Sequence, residues 1–207
     1  MQDTTFLIER HKGLKVFLVG VHKEEPLPRV EADLEELASL LGTLKIPCAG
    51  SIIQKRTKLS ASHLLGRGKI EEIKKLIEEK CAGLVVIDHP LSGLQIKTLE
   101  LLLKCQVIDR SGVILDIFSN NAKTKQAMTQ VEIAKLEYLL PRLTGAWSHF
   151  GRQKGGGVKG RGMGEQQIEI DRRRVREKIS RSKKRLKQIA KERQTQRKAR
   201  RNELKVA

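Results

Sequence analysis

The hydrophobic period of this chain changes once, close to Asp109, and that change separates what its two halves can fold into. Before it come short, continuous apolar runs rich in Val, Ile and Leu. They are Lys15 to Val21, a weaker run from Pro47 to Gln54, Leu84 to Asp88, and Cys105 to Asp109. Runs of this kind suit strands buried on both faces, as in a parallel sheet. Between them, apolar residues recur at helical spacing. Leu34, Leu37, Leu40 and Leu41 mark a helix over 30–44, with Glu31, Asp33, Glu35 and Glu36 in its first turns, where acids complement the helix dipole. Ile70, Ile73, Leu76 and Ile77 mark a helix over 69–80, ended by Gly83. Ser92 is a good N-cap for a helix over 92–104, and residues 59–66 read as a loop or short turn. Strand and helix in alternation predict four parallel strands joined by right-handed crossovers, with helices on both faces. The strand order expected is 2-1-3-4, which the alternation does not itself dictate.

Beyond Asp109 the pattern is helical. Val113, Ile114, Ile117 and Phe118 begin it, with a break expected near Asn120 and Asn121. Val131, Ile133, Leu136, Leu139, Leu140 and Leu143 continue it, and Pro141 bends or ends it. Further on, Ile168, Val175, Ile179, Ser182, Leu186 and Ile189 form a heptad stripe narrow enough for a two-helix coiled coil. Its natural partner is the helix over 122–143, folded back antiparallel. The expected fold class is therefore α/β: a small four-stranded parallel sheet flanked by helices (1–110), followed by a long antiparallel two-helix coiled-coil hairpin (111–203).

The expected tip of that hairpin is a loop over 151–164. Gly151, Gly155, Gly156, Gly157, Gly160, Gly162 and Gly164 alternate there with the cations Arg152, Lys154, Lys159 and Arg161. Glycine lets a partner surface approach the backbone closely, and cations on such a backbone suit phosphate. The charge balance agrees. Residues 1–144 hold 21 Lys+Arg against 18 Asp+Glu, a net +3, whereas residues 145–207 hold 21 against 6, a net +15. A body of nearly neutral charge with a strongly basic extension points to nucleic acid. Arg172, Arg173 and Arg174, and later Arg181, Lys183, Lys184, Arg185 and Lys187, would contact phosphates rather than bases. Trp147 and Phe150, just before the loop, are candidates for base stacking or for packing on the hairpin end.

Other chemistry is thinly represented. Gly66, Gly68 and Lys69 resemble half of a phosphate-binding loop, but no Ser or Thr follows the lysine. They read as a glycine turn opening a helix, with an anion site as the alternative. Cys48, Cys81 and Cys105 are odd in number, without metal-ligand spacing, and are expected as reduced, partly buried thiols. Neither a signal peptide nor an apolar run of membrane-spanning length is present, so a cytoplasmic protein without metal is expected.

Several stretches together resemble one family, the HflX-type GTPases. Gly66-Arg67-Gly68-Lys69 with Glu71-Glu72 is similar to its G-x-G-K-x-E-E segment. Asp109-Arg110 with Ile114 to Phe118 is similar to D-R-[ST]-x-x-I-L-x-I-F, and Leu139 to Leu143 matches the next helix. Gly155 to Gly157, Arg161-Gly162, Gly164-Glu165 and Asp171 to Arg173 resemble G-G-G-x-x-x-R-G-x-G-E…D-R-R. The resemblance implies a ribosome-associated protein whose N-terminal domain and hairpin engage the large ribosomal subunit and rRNA, and which separates stalled ribosomes. It implies a C-terminal GTPase domain, using GTP and magnesium, that would start near residues 204–207. Alone, the chain is expected to bind RNA and to need no cofactor of its own. The competing readings are a stand-alone α/β nucleotide-binding protein or ATPase, and a coiled-coil spacer or dimerisation module.

Overall fold

The computed structural model describes residues 15–56, 64–143 and 159–203, with side chains of the last segment described over 168–198. In chain order the elements are β1 (Lys15–His22), α1 (Leu27–Thr43), β2 (Cys48–Lys55), α2 (Arg67–Lys80), β3 (Ala82–Asp88), α3 (Gly93–Leu103), β4 (Gln106–Asp109), α4 (Arg110–Asn121), α5 (Lys125–Leu139) and α6 (Lys159–Glu203). The strands form one parallel sheet, as the strand–helix alternation predicts, and their order β2-β1-β3-β4 is the expected one.

Register and alternation account for the two-sided core. Val16, Leu18, Leu84, Val86 and Ile108 point to one face, where Leu34, Leu37 and Leu41 of α1 and Val113 of α4 cover them. Phe17, Val19, Val85, Ile87 and Val107 point to the other, under Ile70, Ile73 and Ile77 of α2 and Leu99 and Leu103 of α3. Both faces are dry, which is why the strands read as unbroken apolar runs.

Several boundaries differ from the sequence reading, each for a local reason. Helix α1 starts at Leu27 rather than 30, because Pro28 fits a first turn whose N–H groups need no partner. Its acids therefore lie beyond the first turn. Helix α2 ends at Lys80, where Cys81 takes a left-handed conformation (φ 52°), and Gly83 belongs to β3. Ser92 does cap α3, in a reciprocal capping box with Gln95. Asp109 caps α4, which therefore starts at Arg110 rather than Val113. The expected break after Asn121 is present, and Thr124 caps α5. Cys48 and Cys81 are exposed, contrary to the expectation of partly buried thiols. Only Cys105 is partly buried, and burial, aided by the Glu100 charge, pushes its thiol up to about 11.

A single buried carboxylate joins the sheet to the helices that follow. Asp109 ends β4 and is 1% exposed. Its Oδ1 accepts from the Gly112 amide at 3.0 Å and from the Tyr138 hydroxyl at 2.8 Å. Its Oδ2 accepts from the Leu91 amide at 3.0 Å and from Arg142 Nη2 at 2.7 Å. Arg142 also donates to the carbonyls of Leu91 and Tyr138, and its guanidinium lies 3.4 Å from the centre of the Tyr138 ring. Two glycines make room for this clasp. A Cβ on Gly112 would stand 2.8 Å from the Tyr138 oxygen, and one on Gly93 would stand 2.8 Å from Arg142 Cα. Burial, reinforced by the charge of Asp109, raises the Tyr138 hydroxyl well above its ordinary range, so it stays a donor at all working pH values.

The open edge of β4 is shielded as well. Glu100 Oε1 accepts the outward Val107 amide at 3.3 Å. Burial raises the Glu100 pKa above its ordinary value, only partly opposed by that hydrogen bond.

Two measurements follow from these contacts. Tyr138→Phe removes one donor from a buried charge and should cost about 1.5–3 kcal/mol in urea unfolding. Arg142→Met leaves Asp109 uncompensated and should cost about 3–5 kcal/mol. Near-neutral values for both would mean that the clasp contributes no stability. For Glu100, a pKa raised in the folded state gives stability that is full below the unfolded value and lost as pH rises through the folded one. Glu100→Gln keeps the acceptor for Val107 and should gain stability relative to the parent between pH 4 and pH 7. A difference independent of pH would show that folding does not burden this carboxyl.

Candidate nucleic-acid interface

Helix α6 carries the charge that singles out this half of the chain. Over 168–198 it has 14 Lys+Arg against 4 Asp+Glu, a net +10. A helix this polar needs a partner along its apolar stripe, and α5 supplies it. Ile133 and Leu136 of α5 pack on Ile179 of α6, with Leu140, Val175 and Leu186 at the margin. Gln126 meets Arg193, Glu132 Oε1 lies 3.1 Å from Lys178 Nζ, and the Ser182 hydroxyl donates to Glu132 Oε2 at 3.2 Å. Rising numbers on α5 thus meet falling numbers on α6. Ser182, the polar member of the heptad stripe, is buried with its hydroxyl satisfied. On its other side α5 is tied to α4 by a buried ion pair, Lys135 Nζ to Asp116 Oδ1 at 3.0 Å.

The cations of α6 fall into two sets. One set faces carboxylates: Arg172 and Arg176 with Glu169 (3.9 and 3.5 Å), Arg174 with Asp171 (3.4 Å), Arg181 with Glu177 (3.3 Å), Lys178 with Glu132, and Lys183 with Glu137 (2.7 Å). The other set is exposed, and among the described residues no carboxylate reaches it: Arg173, Lys184, Arg185, Lys187, Lys191, Arg197 and Lys198. Of the predicted triplet Arg172, Arg173 and Arg174, only the middle guanidinium is uncommitted. The surface pairs of the other two are worth about 0–1 kcal/mol and would yield to a phosphate.

The remaining predicted contacts are distributed as follows. Trp147, Phe150, Arg152, Lys154, Gly155, Gly156 and Gly157 lie outside the described residues. Lys159, Arg161, Gly162 and Gly164 belong to the backbone of α6, so residues 159–164 of the expected loop are helical. A helix already propagated downstream can extend over glycine at about 1 kcal/mol per residue. Gly66 is the N-cap of α2, but its amide donates to Gln54 Oε1 at 2.9 Å, and Lys69 Nζ pairs with Glu72 at 2.7 Å. Helix α2 lies on the opposite face of the sheet from α4, the helix that carries α5, so the two candidate anion sites are not brought together. Asp88 beside His89 is engaged by Arg110 at 3.4 Å, and Arg110 in turn by Glu36 at 2.6 Å. Burial raises the Asp88 carboxyl while Arg110 opposes the shift. Among the described residues no group of His, Cys, Asp and Glu is placed to hold a metal, and no helix is long and apolar enough to cross a membrane.

The Asp109, Tyr138 and Arg142 clasp, which positions α5, has no periodic signature. The available signal was an acid ending a buried strand together with an Arg just past a helix end at Pro141.

Known proteins give this arrangement a family. Residues 31–119 match the family described as "GTP-binding GTPase N-terminal", and residues 121–200 match "GTP-binding GTPase Middle Region". The two matches meet in the last turn of α4, just before the break that precedes α5. "GTPase HflX" of Caldanaerobacter subterraneus subsp. tengcongensis is 40% identical over 173 residues, 84% of this chain and 40% of that protein. "GTPase HflX" of Escherichia coli is 40% identical over 168 residues, 81% of this chain and 39% of that protein. The chain thus spans about 40% of the length of these curated relatives. Among solved structures, a GTP-binding protein from the archaeon Sulfolobus solfataricus in complex with GDP is similar in fold, with TM-score 0.56 at 20% identity over 86% of this chain and 46% of that one. A structure described as the SsGBP and GDP complex gives TM-score 0.60 at 20% identity, covering 88% of this chain and 46% of that one. The chain belongs to the HflX family of GTPases and corresponds to that family's N-terminal and middle regions.

Proposed function

We propose that this chain is the ribosome-binding N-terminal module of an HflX-like GTPase. In this reading α5 and α6 are the arms of a coiled-coil hairpin, and the glycine-rich segment between them contacts rRNA of the large subunit. The observation that carries it is the charge asymmetry, net +15 over 145–207 against +3 before it. Antiparallel packing of α5 on α6 supports the hairpin, because it runs the second helix back alongside the first. The uncommitted exposed cations of α6 support a polyanionic partner.

The division of labour follows from the residues. The sequence holds no G-x-x-x-x-G-K-[ST], so GTP and magnesium are assigned to the part of the relatives that this chain does not span. The α/β subdomain and its clasp orient the hairpin, the hairpin carries the glycine-rich segment, and that segment presents Arg152, Lys154, Lys159 and Arg161 to phosphates. Splitting or rescue of ribosomes would then couple this binding to the nucleotide cycle, and the protein would act in the cytoplasm.

Co-sedimentation with purified large ribosomal subunits tests the reading. Binding should saturate, weaken steeply with salt, and fall at least tenfold when Arg152, Lys154, Lys159 and Arg161 are all changed to Glu. Equal binding to small subunits, or no loss in the quadruple variant, would overturn it and favour a spacer role for the paired helices. Calorimetry of the same chain with GTP and magnesium should show no binding heat.

A further inference from the structure

We infer that the solvent face of α6 is a second, separate track for the phosphate backbone of RNA, centred on Arg173, Lys184, Lys187, Lys191 and Lys198. It rests on the reading of the partner as nucleic acid, but not on the glycine-rich segment.

The argument starts from the helix period. Successive residues turn by about 100°, so the stripe of Val175, Ile179, Ser182 and Leu186 that packs on α5 fixes the direction of the opposite face. The five named cations fall within roughly 60° of one another on that opposite face. All five are exposed, and none has a carboxylate partner among the described residues. Most cations on the flanks of α6 are drawn into pairs with Glu132, Glu137, Glu169, Asp171 and Glu177, Arg185 being an exception. The helix therefore neutralises much of its sides and leaves its back positive. From Arg173 to Lys198 the face spans about 38 Å, without a glycine or proline to bend it.

The chemistry selects the partner. Four of the five cations are lysines, compact point charges that suit phosphates rather than the planar, bidentate reading of base edges. No aromatic lies in 168–198 for stacking single-stranded bases, so a duplex backbone fits best. A bilayer would need an apolar face as well as charge, and the apolar face of α6 is occupied by α5.

The test compares two variants. Lys184→Gln, Lys187→Gln and Lys191→Gln together remove three cations while keeping helix propensity. The second variant is the quadruple Glu replacement in the glycine-rich segment. The probes are two RNA duplexes of 24 base pairs and unrelated sequence, read by fluorescence anisotropy between 50 and 200 mM salt. With about 0.9 counterions released per phosphate contact, losing three contacts should shrink the affinity advantage of the parent by about 40-fold across that salt range. The loss should be equal for both duplexes, with unchanged far-UV circular dichroism, and the segment variant should keep the parental salt slope. An unchanged slope in the triple-Gln variant would overturn the track. So would binding of the parent to polyglutamate, or to vesicles containing phosphatidylserine, as tight as its binding to RNA. Failure of the segment variant to affect large-subunit binding would instead count against the proposed function alone.

Discussion

A carboxylate with almost no exposure needs hydrogen-bond donors in place of the water it has lost, and Asp109 has four. Those donors come from the turn before α3, the first turn of α4, the end of α5 and the turn after it. One side chain thus fixes the relation of the turn before α3, the start of α4 and the end of α5, which span residues 91 to 142. The network is also mutually exclusive with looser arrangements. Gly93 and Gly112 bring backbones and the Tyr138 hydroxyl so close that a methyl group at either position would push them apart. The sheet could form without this clasp, since its own core is complete on both faces. The direction in which α5 leaves it could not be set as narrowly.

The sheet was legible in the sequence because burial on both faces leaves a strong trace. Unbroken runs such as Leu84 to Ile87 have few other homes, and alternation with helices made the strands parallel. The order of the strands matches the expected one, but alternation and handedness do not dictate it. The heptad residues Val175, Ile179, Ser182 and Leu186 were legible for the same reason, as a period imposed by one neighbour. What stayed hidden depends on residues that act singly. No pattern announces that Asp109 will receive both Tyr138 and Arg142, separated from it by 29 and 33 positions. Helix ends were misplaced where a local conformation overrode the expected signal, as at Cys81, which turns left-handed two residues before the glycine expected to do so. The expected loop over 151–164 was over-extended because glycine was weighed as a breaker, although helix α6 reaches back to Lys159.

Of the candidate interface, the sequence conveyed the amount of charge but not its distribution. Which cations are neutralised depends on where the acids of α5 fall, and on the i to i+3 and i to i+4 spacing of the acids within α6 itself. That distinction demotes Arg172 and Arg174 and promotes Arg173 and the later lysines. Opposite charges on the flanks also serve pairing. Lys178 and Lys183 reach across to Glu132 and Glu137, favouring the register that buries Ile179.

The unequal lengths of the paired helices have a mechanical consequence. Helix α5 has 15 residues and α6 has 45, so at about 1.5 Å per residue they measure about 22 and 67 Å. Most of α6 therefore runs without α5 beside it, and its early end stands some 24 Å beyond the level of Val175. Whatever grips α5 acts near the fulcrum of a long arm. A rotation of about 5° at the clasp would sweep that early end through about 2 Å, a displacement comparable to the difference between a phosphate in contact and one out of reach.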